Sequence, residues 1–116
     1  MRIEERTVGG VTILDLRGKL TLGDGDTLLK DKVHSLLHQG RKLFLLNLGD
    51  VPYIDSAGIG EVVSTFSTVK REGGSLKLLN LTKRIHDLLA ITKLLTVFET
   101  YSAEADAVRS FSSAAV

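Results

Sequence analysis

Leu43-Phe44-Leu45-Leu46-Asn47-Leu48-Gly49-Asp50, running into Val51-Pro52-Tyr53-Ile54-Asp55-Ser56-Ala57-Gly58-Ile59-Gly60-Glu61-Val62-Val63, decides the fold. The first six residues are a nearly unbroken apolar run. Such a run reads as a strand buried on both faces, the usual state of a strand inside a parallel sheet. Beyond it Ile59, Val62, Val63, Phe66 and Val69 recur at helical spacing. Between the two periodicities lies Asp55-Ser56-Ala57-Gly58. Asp and Ser are strong N-cap residues, because their oxygens accept the unpaired first N–H groups of a helix. The spacing therefore puts a serine at the positive end of a helix dipole, a setting that suits a phosphate.

The rest of the chain alternates in the same way. Ile3 to Val8 and Val11 to Arg17 are β-rich and separated by Gly9-Gly10, which predicts a tight hairpin with the second strand the more buried. Gly18 to Asp26 is a loop. Asp26 or Thr27 caps a helix to about Gln39, ended by Gly40, with Leu29, Val33, Leu36 and Leu37 inward. The helix after Ser56 runs to about Glu72 and stops at Gly73-Gly74. Ser75 to Leu79 is a further strand. Thr82 caps a short helix that buries Ile85, Leu88 and Leu89. Thr96 to Tyr101 is expected as the last strand. Ser102 is expected to cap a final helix docked by Ala107, Val108 and Phe111, with residues 112–116 as a frayed tail. Strands alternating with helices after an opening hairpin give an α/β fold: a mixed sheet of about four to five strands packed by about four helices.

With 116 residues the chain is read as a single domain, residues 1–116, able to bury about two thirds of its unfolded surface. Fifteen basic and fourteen acidic side chains leave no net field to attract nucleic acid or an anionic membrane. Cysteine is absent, so thiol chemistry is excluded. No apolar run approaches the roughly 20 residues of a membrane span, so no membrane insertion and a cytoplasmic location are expected.

Three chemical readings of the residues carry less weight. His34 and His38 have the i,i+4 spacing of metal ligands but lie off the apolar stripe, on a solvated face. The Gly18–Gly25 loop lacks the Gly-Lys-Ser/Thr that a nucleotide loop needs after its glycines. A serine hydrolase elbow needs Gly two residues before the serine, where Ile54 stands, and a histidine base nearby. On the residues alone, Asp55-Ser56 reads first as a plain helix cap.

Asp55-Ser56-Ala57-Gly58-Ile59-Gly60, placed after an apolar strand and a short turn, resembles the signature of the STAS domain, a family that includes the bacterial anti-sigma factor antagonists. The resemblance extends over Arg17-Gly18-Lys19-Leu20-Thr21, Gly73-Gly74-Ser75-Leu76-Lys77-Leu78 and the stretch Ile85 to Val97. It implies the STAS strand order and a phosphorylation site at Ser56, the serine after the aspartate. Where the family often has a second Ser or Thr, Ala57 leaves one acceptor. Many members carry an acidic residue at the position of Thr21; the resemblance leaves two readings open, that Asp24 or Asp26 supplies that charge from nearby or that the kinase contact differs here.

The implied function is partner switching. The unphosphorylated protein binds an anti-sigma factor with serine kinase activity and frees a sigma factor. That kinase phosphorylates Ser56, and a metal-dependent serine phosphatase restores it. The chain is then a kinase substrate and not an enzyme, with no cofactor. The expected contact residues are Thr21, Asp24, Tyr53, Ile54, Asp55, Ser56, Ala57, Gly58 and Ile59, with Gly58 and Gly60 admitting close backbone approach. Two other roles stay open: a STAS subunit of a transporter or signalling assembly without a sigma factor, and a small-ligand or nucleotide module using the Gly18–Gly25 loop.

Overall fold

A computed structural model describes residues 1–113. Strands β1 (Arg2–Val8) and β2 (Val11–Arg17) pair antiparallel, Val8 opposite Val11. Gly9 and Gly10 turn the chain between them at φ +56° and +80°, the left-handed pair that a two-residue hairpin of this twist requires. Helix α1 (Gly25–His38) leads to β3 (Leu43–Asp50), α2 (Ser56–Arg71) to β4 (Ser75–Leu79), and α3 (Lys83–Ile91) to β5 (Thr100–Tyr101). These strands add in parallel, so the sheet order follows the chain order, β1-β2-β3-β4-β5. α4 (Glu104–Ser113) closes the described chain.

Crossovers of one hand along a sheet that grows in one direction all fall on the same face. α1, α2 and α3 accordingly share one face and α4 has the other. The pleat sorts the side chains between them. Leu14 and Leu16, Phe44, Leu46 and Leu48, and Leu76 and Leu78 meet Leu29, Val33, Leu36, Val62, Val69, Ile85 and Leu89 in the main core. Their strand neighbours Val11, Ile13, Leu45 and Leu79 meet Ala107 and Phe111 of α4 in a smaller one. Polar contacts reinforce that second face. Arg6 bonds Asp15 (2.6 Å) and Glu104 (2.7 Å), and its guanidinium holds the Asp15 carboxyl below its ordinary pKa. Lys77, buried in β4, donates to Ser110 and lies 4.5 Å from the Phe111 ring centre.

Four boundaries differ from the sequence reading. α1 starts at Gly25 with Asp24 at the cap position, and the Asp26 carboxylate instead accepts from the N–H groups of Gly23 and Thr27. β5 has two residues, because hydrogen bonds from Leu94, Leu95 and Val97 fold that segment into turns and Phe98 fills the core edge-on to Phe66. α4 starts at Glu104, which puts Ala103 rather than Ser102 before its first turn. Ser112 and Ser113 belong to α4 and not to a frayed tail, the remainder of which, 114–116, lies outside the described residues.

Candidate functional site

The loops that follow β2 and β3 are stitched together. Gly18 donates to the Asp50 carbonyl, Leu20 to that of Tyr53, and Asp55 to that of Leu20, and Leu20 and Ile54 form an isolated parallel bridge. Gly58, in the first turn of α2, completes the joint. A Cβ there would lie 2.0 Å from the Leu20 carbonyl oxygen and 2.8 Å from Ile54 Cγ1. The close backbone approach expected at Gly58 is made by the chain's own loop. Gly60 faces open space.

Asp55 is the N-cap of α2. Its Oδ1 accepts from the Gly58 N–H (2.8 Å) and its Oδ2 from the Leu22 N–H (3.1 Å). These two amides hold its carboxyl below the usual carboxylate range. Asp55 thus staples the first turn of α2 to the loop at Leu22. Ser56, the first residue of α2, is exposed, and Ala57 is half-buried beside it.

Ser56 stands on a groove of about 570 Å³ between the α2 turn and α3. Tyr53, Ile54, Asp55 and Ile59 line one wall, and Arg84, Asp87, Leu88, Ile91 and Thr92 the other. Tyr53 is 39% exposed, Ile59 packs partly into the core, and Ile54, at 3%, is a core residue that forms the floor. Thr21 and Asp24 lie outside this groove, on the adjoining loop. The Thr21 carbonyl accepts three amides of the turn into α1, and Asp24 pairs with the Met1 ammonium at 3.3 Å. Most of the loop's amides are spent internally: Gly18, Leu20, Leu22, Gly23, Asp24, Gly25 and Asp26 each donate to a group of this chain. A cradle for a nucleotide phosphate needs those N–H groups free.

Sequence reasoning did not include the α3 wall. Arg84, Leu88 and Ile91 recur at i, i+4 and i+7, a second stripe beside the buried Ile85 and Leu89. The available signal was Ile91, an apolar residue off the buried face, and it is 77% exposed. Leu22, 75% exposed on the loop tied to Asp55, is a further apolar residue beside the site that periodicity does not single out.

Fold and site together define a small α/β binding module that presents an exposed serine, at a helix N-terminus, on the edge of an apolar groove. The chain belongs to the STAS domain family, whose pattern it matches over residues 2–107. A curated relative, the anti-sigma-B factor antagonist of Bacillus subtilis, is 44% identical over 72 residues, a stretch covering 62% of this chain and 65% of that protein. The crystal structure of a Thermotoga maritima protein superposes with a TM-score of 0.87 at 24% identity, covering 94% of this chain and 93% of the other. The Bacillus cell-fate determinant SpoIIAA, solved in its phosphorylated form, superposes with a TM-score of 0.73 at 17% identity over 93% of this chain and 97% of its own.

Proposed function

We propose that this protein is an anti-sigma factor antagonist whose binding is switched by phosphorylation of Ser56. The observation that carries the reading is the setting of that serine. Its side chain is exposed at the first residue of α2, on an apolar groove, and the neighbouring Asp55 carboxylate is already held by two amides. The name of the Bacillus subtilis relative supports the same role. Unphosphorylated, the module binds an anti-sigma factor with serine kinase activity in the cytoplasm. The kinase transfers phosphate to Ser56, and a metal-dependent phosphatase removes it. The protein itself serves as substrate and ligand.

Phosphate adds about −1.5 to −2 charges. At the N-terminus of α2 the helix dipole tolerates them. At an interface they must be desolvated, because the partner that buried a neutral hydroxyl now buries a dianion. A loss of about 3 kcal/mol weakens binding more than a hundredfold. The test is affinity capture from the source organism's lysate with Ser56→Ala and Ser56→Asp proteins side by side. The proposal expects an ATP-binding kinase to be recovered with the Ala form and lost with the Asp form. Recovery of the same partner by both forms, or a transporter subunit in place of the kinase, returns Ser56 to the role of a helix-cap neighbour.

A further inference from the structure

The groove beside Ser56 is lined by a cation, Arg84, for which the described residues supply no counter-ion. The Arg84 guanidinium lies over the Tyr53 ring, 4.7 Å from its centre, and among the described residues it has no carboxylate partner. The two carboxylates that line the same groove are committed elsewhere. Asp55 accepts from the amides of Gly58 and Leu22, and Asp87 is bonded by Lys83 (2.9 Å) and meets His86 (3.4 Å). Ser56 and Arg84 thus line the same cavity.

We propose that Arg84 is the chain's own receptor for a phosphoryl group on Ser56, leaving the Tyr53 ring to bind the phosphate oxygens. This rests on the reading that Ser56 is phosphorylated. In that step the Ser56 Oγ–P bond forms as the bond from the γ-phosphorus to the ADP oxygen breaks, and the hydroxyl proton passes to the kinase. A dianion then appears in a cavity whose uncommitted charge is a guanidinium. Arginine matches phosphate with a planar fork of donors, and such charge-assisted bonds outweigh attraction to an exposed aromatic face. Lys83, one residue earlier, is held by Asp87 and is the weaker competitor. Capture alters the groove twice over: the phosphate occupies it, and the cation that roofed Tyr53 is withdrawn from the partner.

The test uses the full chain with phosphoserine installed at position 56 during synthesis, so that no kinase is needed. The second ionisation of the phosphate, ordinarily near pH 6, is followed by phosphorus NMR in the parent, Arg84→Gln and Lys83→Gln proteins. The helix terminus, Asp55, Asp87 and His86 are common to all three. The proposal expects the parent pKa to lie about half a unit below that of Arg84→Gln, with Lys83→Gln matching the parent, and the Tyr53 ring resonances to shift on phosphorylation only where Arg84 is present. Equal pKa values in the parent and Arg84→Gln proteins overturn it, as does an equal change in Lys83→Gln. Because the phosphate is installed chemically, this result is independent of whether a kinase recognises Ser56, which the capture experiment decides.

Discussion

Asp55 joins two loops that are 33 residues apart in the chain, through one oxygen to Gly58 and the other to Leu22. Its cap role was legible in the sequence, because Asp before a helical periodicity has a local meaning. Its second bond was not, since nothing near Leu22 in the chain refers to residue 55. Glu61 was equally silent. It sits at the α1–α2 seam with Oε2 buried and unpaired, and burial raises its pKa, partly opposed by Lys30 and His34. A carboxyl whose folded pKa is raised stabilises the fold below its unfolded pKa, and that contribution is lost as pH rises through the folded value. Glu61→Gln is therefore expected to raise the melting temperature by a few degrees at pH 7, with the gain shrinking toward zero as pH falls below about 4. Thermal melts across that range check it, and a gain independent of pH contradicts the assignment.

α2 carries two glycines two residues apart with opposite roles. The sequence presented Gly58 and Gly60 alike, as small residues beside a serine, because the neighbour that decides between them, the Leu20 carbonyl, arrives from another loop. Gly58→Ala forces an overpacked joint and is expected to cost about 3 kcal/mol, seen as a drop of about 10 °C in melting temperature. Gly60→Ala relieves the entropy of a helical glycine in open space and is expected to gain about 0.5–1 kcal/mol. Equal effects from the two would sink the packing account. The caps Asp55 and Thr82 stand where the sequence put them, whereas those of α1 and α4 do not. Periodicity failed where a short apolar stretch had two uses. Val97 and Phe98 looked like strand, but Phe98 is spent on the core against Phe66, and only Thr100 and Tyr101 reach the ladder.

Across the molecule, the segments that build the site all leave the carboxyl ends of parallel strands: the 18–25 loop after β2, the Asp55 turn after β3, and α3 after β4. An open parallel sheet characteristically gathers its binding groups at that edge. The alternation of strands and helices was enough to predict an α/β layer fold; the strand order and the reading of Ser56 as a switch came from the resemblance to the STAS signature, since a serine at a helix start is by itself a cap. The α3 wall was not legible, because bringing Arg84 over Tyr53 depends on the crossover that folds α3 beside α2. α4 and the second core lie on the opposite face of the sheet, and the exposed position of Ser56 at the start of α2 leads to the expectation that a charge there acts at the edge without unfolding the chain. The decisive measurement is a calorimetric titration of the partner captured by Ser56→Ala against the unphosphorylated and phosphoserine-56 proteins, with melting curves of both. The account predicts a dissociation constant raised about a hundredfold or more by phosphate while the melting temperatures stay within a few degrees. Equal affinities, or a lost affinity accompanied by unfolding of this chain, would contradict it.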